Sequence, residues 1–263
     1  MKTRRWAVAA LAVAASLAFA TGCGKGSDEP GTTPSPTPAP KDALIASVAE
    51  LQKSSFTFEL KAAGATGTGS VDPATKSGTI KMNIGDAQSG AKFLMEMLLL
   101  GDDFYLKLDF GALKVPGMPP PDKWQHVDRA KLTDPDKVDL DLSKDTDPAG
   151  AKGIFDAIVT VEKTGDRQYR GTTDLTKATD ADIVDEDIVK ALGEQAKAVP
   201  FEATLDDKGR LASLRLDIPA AGSTKAQAWE VSYSNYGAAP KLEKPPATEV
   251  QEASKTVYDM LSS

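Results

Sequence analysis

The chain of 263 residues contains one cysteine, Cys23, and one histidine, His126. A single cysteine excludes an internal disulfide framework. A lone histidine with no second histidine or cysteine near it in sequence lacks the usual ligand sets for zinc. His126 is therefore read as a surface residue of a short strand, Trp124–Asp128, and no metal or cofactor is expected. No G-x-S-x-G motif occurs, which together with one histidine argues against nucleophilic hydrolysis. Basic residues are in deficit, 31 Lys and Arg against 38 Asp and Glu. Such a balance is a poor match to nucleic acid, which needs clustered Lys and Arg against phosphate. No repeat with a solenoid period stands out. The N-terminal apolar run, Trp6 to Ala20, falls short of the roughly 18 to 20 residues that a spanning helix needs.

That run lies in a distinctive context. Lys2, Arg4 and Arg5 precede it, and Ala20-Thr21-Gly22-Cys23 ends it. A basic start, a short apolar segment and small residues at its end describe a secretory signal, residues 1–22. An uncleaved N-terminal anchor is the alternative. The four residues at the junction resemble the bacterial lipobox, with Ala20 standing where Leu is commoner. On that reading the Cys23 thiol receives a diacylglyceryl group, and Cys23 becomes the first residue of the mature chain. An unmodified cysteine in a secreted protein is the other account. Two acyl chains hold a protein stably at a membrane, whereas one holds it only marginally. The expected location is the extracytoplasmic face of the cell membrane, lipid-anchored. Loss of Lys2, Arg4 and Arg5 takes the formal charge from −7 to −10. An acidic domain gains nothing from an anionic bilayer, so the lipid has to do the anchoring.

Residues 23–41 follow as a tether. Gly24 to Lys41 has five prolines and no large apolar residue. It cannot offset the entropy of ordering by burial, and extended polyproline II would let it reach on the order of 50 Å.

Residues 42–263 have no composition break and read as one folded domain. A helix is expected over Asp42–Lys53, with Asp42 as its cap and Leu44, Val48 and Leu51 on one face. Phe56, Phe58 and Leu60 alternate with Thr57, Glu59 and Lys61 as a strand. The clearest sheet signal runs from Thr79 to Phe110. Ile80, Met82 and Ile84 share one face of the first strand, and Phe93, Met95, Met97 and Leu99 one face of the second. Phe104, Leu106, Leu108 and Phe110 share one face of the third. Short turns between them, such as Gly101-Asp102-Asp103, imply an antiparallel meander with one wet face. Methionine suits irregular apolar sites; an ordinary core is the plainer alternative.

The stretch from Thr133 to Pro148 is acidic. Asp145, Asp147, Gly150 and Asp156 faintly echo a calcium loop, but Ala149 stands where a ligand belongs and Asp156 where a bidentate Glu would. A solvated loop is the simpler reading. Pro148–Ala157 is expected to be helical with Ile154, Phe155 and Ile158 inward, and Asp180–Lys197 likewise through Ile183, Val184, Ile188 and Leu192. Hairpins are expected around Thr164–Arg167 and Asp206–Gly209, the second placing Leu214 and Leu216 on one face. A strand over Ala226–Tyr233 and a closing helix over Thr248–Leu261 complete the reading.

Several local sequences stand in this order: Gly101-Asp102-Asp103-Phe104-Tyr105, Lys123-Trp124 to Val127-Asp128, Tyr169-Arg170-Gly171-Thr172, and Val199-Pro200-Phe201 to Leu216. With the order of elements, they resemble the LppX/LprAFG lipoprotein family of actinobacteria (LprG-like), whose fold is similar to that of the LolA lipoprotein carrier. The resemblance spans roughly Lys41 to Leu261. It implies an α+β fold: a curved, unclosed antiparallel β half-barrel with helices packed on its concave face, enclosing an apolar cavity. It also implies a non-enzymatic protein that binds acylated lipid or glycolipid and carries it within the envelope, with a transporter or envelope acceptor as possible partner, and a monomer. The inferred cavity wall is the alternating set above with Phe155, Ile158, Leu214 and Leu216. A surface sensor or accessory interaction module with a packed core is the alternative.

Overall fold

The computed structural model describes residues 38–85, 92–112, 116–117, 120–132, 146–178, 184, 186–222 and 224–261. All of them belong to one unit, Pro38–Ser263. Cys23 and the signal and tether residues up to Thr37 lie outside them, as do Asp145, Ile183 and most of the acidic loop.

Among the described residues, twelve strands form one sheet in the order β12-β6-β5-β4-β3-β2-β1-β11-β10-β9-β8-β7. The strands are β1 (Phe56–Ala62), β2 (Ala65–Asp72), β3 (Ser77–Gly85), β4 (Lys92–Leu100), β5 (Asp103–Asp109), β6 (Trp124–Val127), β7 (Ile158–Lys163), β8 (Gln168–Thr173), β9 (Val199–Leu205), β10 (Leu211–Ile218), β11 (Gln227–Ser234) and β12 (Val250–Glu252). Neighbours pair antiparallel except β12 with β6, which run parallel. The two edges, β12 and β7, do not meet, so the sheet is unclosed. The fold is α+β, and the described residues include four short helices: α1 (Pro40–Ala49), α2 (Ala151–Asp156), α3 (Glu186–Leu192) and α4 (Lys255–Leu261).

Register explains why one face is apolar from end to end. Successive residues of a strand point to opposite faces, so each pairing fixes which side chains stand side by side. Leu60 pairs with Val231, Val231 with Leu214, and Leu214 with Ala203. In the other direction Leu60 pairs with Gly67, Gly67 with Met82, Met82 with Met95, and Met95 with Leu108. The opposite face carries a row of alternating charge: Lys61, Glu230, Arg215, Glu202, Arg170 and Glu162, each paired with the next across six strands. Arg215 bonds Glu230, and Arg170 Nε donates to Glu162 Oε1 at 2.6 Å. A shorter row of Lys81, Glu96 and Lys107 crosses β3 to β5.

Helical cover divides the apolar face. The larger core joins Leu44, Val48 and Leu51 to Ile154, Phe155, Leu192 and the inward residues of β1, β2 and β8–β11. The smaller core joins Leu99, Phe104, Leu106, Leu108, Val127 and Leu132 to Val257 of α4. A large side chain that is fully buried contributes about 1.5–3 kcal/mol. Such residues as Phe56, Phe201, Leu214 and Leu216 therefore anchor the larger core.

Several boundaries differ from the sequence reading. The first helix begins at Pro40, not Asp42; proline's fixed φ and missing N–H suit the first helical position, and no side chain caps this helix. The helix expected over Pro148–Ala157 shrinks to α2. Gly150 precedes it in the left-handed region (φ 61), and Asp147 accepts from the backbone N–H of Ala149 and Lys152. Of the helix expected over Asp180–Lys197, residues 180–183 and 185 lie outside the described residues; Glu186–Leu192 forms α3, continued by a 3-10 stretch that buries Ala196. Strand β5 stops at Asp109, and Phe110 lies beyond it. The closing helix is the largest correction. Thr248–Leu261 is a 3-10 turn, then β12, then α4, because Val250, Gln251 and Glu252 find ladder partners in Trp124, Gln125 and His126. Ser254 Oγ, at 3.4 Å from the N–H of Val257, sits where α4 starts.

An extended strap, residues 236–246, joins β11 at mid-sheet to the turn leading into β12 at the far edge. Gly237 N–H donates to Ser55 O at 2.6 Å, Lys244 Nζ to Asp103 at 2.6 Å, and Lys123 Nζ to Thr248 O at 2.8 Å. The strap therefore passes the ends of β1, β5 and β6.

Candidate functional site

Between the two cores, the apolar face is only half covered. On β3, Ile80 packs against the larger core, while Met82 and Ile84 belong to neither cluster, and Ile84 is 42% exposed. On β4, Phe93, Met95 and Met97 are half-buried beside the smaller core. Pairing sets Ile80 against Met97, Met82 against Met95 and Ile84 against Phe93. These six side chains form a continuous apolar strip two strands wide.

Glycine shapes the border of the strip. A Cβ at Gly67 would lie 2.6 Å from Met82 Sδ. The thioether therefore reaches across β2 over the space that Gly67 leaves empty. One strand-step along, the Phe58 ring fills the space over Gly69, where a Cβ would meet it at 2.5 Å. The far border is aromatic, with the rings of Phe93 and Phe110 packed at 4.9 Å between centroids. Methionine here is a flexible, polarizable wall element, able to conform to different apolar surfaces.

The fifteen residues proposed from alternation thus fall into three environments. Leu99, Phe104, Leu106 and Leu108 are buried under α4. Phe155, Leu214 and Leu216 are fully buried in the larger core, with Ile158 half-buried against it. Of the remaining seven, six make up the strip and Phe110 its border. Sequence reasoning missed Gln125 and Gln251, and although it read a closing helix it did not place α4 against the smaller core. Gln125 is fully buried on the apolar face; its Oε1 accepts from Gln251 Nε2 at 3.2 Å, and its Nε2 donates to Lys123 O at 3.4 Å. Tyr258 Oη accepts from Asp128 N–H at 2.9 Å, which ties α4 to β6. A helical reading of 248–261 hid these partners.

His126 is more than a surface strand residue. Its Nε2 lies 3.2 Å from Asp103 Oδ1 and its Nδ1 3.2 Å from Glu252 Oε1, with the Tyr105 ring 5.1 Å away. Both ring nitrogens face carboxylates, so the imidazole is not set as the base of a nucleophilic pair. Lys244 takes the other Asp103 oxygen, and its ammonium holds that carboxyl below the ordinary 3.8. Asp147 accepts from Tyr233 Oη at 2.9 Å as well as from backbone. Among the described residues, no group of three or more His, Cys, Asp or Glu is placed to hold a metal ion. No described helix is long and apolar enough to cross a membrane.

Recesses exist elsewhere. One of about 410 Å³ lies against Glu162, Arg170, Glu202 and Asp217, and one of about 320 Å³ against Glu59, Lys61, Arg215 and Glu230. Their charged side chains belong to the polar face, with charges of both signs already opposed. A third, about 180 Å³, lies between α1 and α2 against Ile45, Val48 and Leu51. It includes Thr146, whose buried hydroxyl has no hydrogen-bond partner.

No protein-family model matches the chain, and no curated protein matches it.

Proposed function

We propose that this protein is a membrane-anchored, non-enzymatic lipoprotein of the LppX/LprAFG kind that takes acyl chains of a lipid or lipoglycan onto the Met- and Phe-rich strip and carries them within the envelope. In this reading the sheet curves around the strip, the helices lie on its concave side, and an apolar cavity opens between the two cores. Cys23 carries a diacylglyceryl anchor at the extracytoplasmic face, the tether sets the reach, and the domain works as a monomer. The observation that supports this best is the half-covered strip of Ile80, Met82, Ile84, Phe93, Met95 and Met97 between two well-packed cores. Apolar surface of this extent is ordinarily covered in a folded domain, and a contiguous patch left open marks a binding surface. Removing acyl surface from water yields about 25 cal/mol per Å². Binding would therefore be strong, and release needs an opening step or an acceptor protein.

The test is direct. The chain bearing Cys23→Ser, purified from a lipid-containing host, should carry co-purifying lipid in extracts read by mass spectrometry. A fluorescent fatty acid should bind saturably. Met82→Asp with Met95→Asp should weaken that binding at least roughly tenfold, because charge would replace apolar wall. Absence of lipid together with no saturable probe binding would sink the proposal. A second reading, a surface sensor or accessory module, draws on Phe155, Leu214 and Leu216, which are fully packed. A stable protein partner without lipid binding would favour it.

A further inference from the structure

The C-terminal flap, β12 with α4, is lightly held. Its strand is three residues long and parallel to β6, a pairing slightly weaker per residue than antiparallel. It nevertheless carries α4 onto the smaller core: Val257 is fully buried there, and Tyr258, Met260 and Leu261 pack against the same cluster as Phe93, Met95 and Met97. Moving the flap would uncover that side of the apolar strip.

We propose that His126 is a proton-operated clasp on this flap: charged, it ties Glu252 of β12 to Asp103 of β5 and keeps α4 closed over the smaller core that borders the strip, and neutral, it lets the flap loosen. The clasp bears on regulation of the strip and rests on the acyl-binding reading above. Charged imidazole has two N–H donors and neutral imidazole has one. Here the two ring nitrogens face two different carboxylates, each at 3.2 Å. One carboxylate sits on the body of the sheet and the other on the flap. The charged ring can bond both. The neutral ring serves one and turns a lone pair toward the other. Asp103 retains Lys244 whatever the state of the ring. Glu252 is 70% exposed at its side chain and, among the described residues, pairs with His126. The groups facing the ring are thus Asp103 and Tyr105 from β5 and Glu252 from β12, with Lys244 of the strap behind Asp103. Backbone follows the same line, since Ala253 N–H donates to His126 O at 3.0 Å where β12 ends. Histidine changes charge between about pH 5 and 8, so closing is favoured at the acidic end and opening at the neutral end.

The test uses the full chain bearing Cys23→Ala, so that no acyl anchor is attached. Amide exchange is followed by mass spectrometry at about pH 5.5 and about pH 8, and rates are corrected for intrinsic exchange. Protection over residues 250–261 should be roughly 1.5- to fivefold higher at the acidic pH, the size expected of a partly exposed ion pair. Strands β9 and β10 should not respond. His126→Gln should remove the pH response; if that variant fails to fold, Glu252→Gln should remove it too, since a carboxamide can accept from a ring N–H or donate its own N–H to a ring lone pair. Equal protection at both pH values, or an unchanged response in the folded variants, overturns the clasp. A parallel measurement follows release of a bound fluorescent fatty acid, expected to be faster at the neutral pH. Exchange that responds while no probe binds keeps the clasp and removes the acyl reading. Probe that binds and leaves at one rate, with exchange indifferent to pH, removes the clasp alone.

Discussion

Gly69 and Gly171 show what single atoms decide. Each lies on the apolar face of a strand, with an aromatic ring over the space where a Cβ would stand: Phe58 over Gly69 and Phe201 over Gly171. An added Cβ would also collide with backbone oxygen, of Thr79 and Thr160 respectively. Backbone cannot step aside as a side chain can, so Gly69→Ala and Gly171→Ala should each destabilise by about 2 kcal/mol or more. Gly101→Ala has open space around it and bears only the cost of its left-handed φ of 62, about 1 kcal/mol. Urea midpoints of the three variants would rank them; equal losses would refute the ring-over-glycine account. Tyr236 offers a test by pH. Its hydroxyl donates to Leu211 O at 2.6 Å, and burial pushes its ionisation well above the ordinary 10.0. A raised value means that the folded state keeps a proton the unfolded state gives up. Stability from this group is therefore complete below about pH 10 and declines as pH rises beyond it. Tyr236→Phe should flatten that alkaline decline, as read by thermal melts at several pH values.

At the scale of elements, α4 and β12 are separable from the rest. The larger core includes no residue of either. A chain ending at Pro246 should fold with β1 and β8–β11 intact, while exposing Leu99, Phe104, Leu106, Leu108 and Val127. It should bind a hydrophobic dye several-fold more brightly than the full chain. Unchanged dye binding would mean that something else covers that wall. The acid side tests the strap. Lys244 holds the Asp103 carboxyl below its usual range, so this contact stabilises above about pH 4 and is lost as pH falls further. Lys244→Met should reduce the acid sensitivity of the strap's protection from exchange. Elements of this kind also mark what the sequence could convey. Alternation gave away Phe104, Leu106 and Leu108, because a period of two survives in any long strand with one wet face. It could not reveal β12, whose three residues are too few for a period and whose partners lie some 126 positions back. Nor could it tell which apolar residues helices cover. Met95 and Leu214 look alike in sequence, yet one lines the strip and the other is fully buried.

For the molecule as a whole, the two cores are unequal. Among the described residues the larger gathers twenty-seven buried side chains and the smaller seven. Local opening follows the density of buried apolar contact. Amides of β9 and β10 should therefore exchange through global unfolding, and those of β5, β6 and β12 through a cheaper partial opening. Denaturant dependence of exchange separates the two classes, and a single class for all strands would contradict the division. The pairing of β1 with β11 has another consequence. Thr57 stands opposite Ser234, 177 residues later, and β1 is the strand that joins the meander to the rest of the sheet. Closing so large a loop costs entropy before any contact rewards it, and folds dominated by such distant pairings form slowly. As the chain is synthesised, the first five strands can zip together early. The larger core must wait until residue 234 has emerged. Until then the early strands stand with their apolar face unsealed, and the growing polypeptide depends on help to avoid sticking to its neighbours.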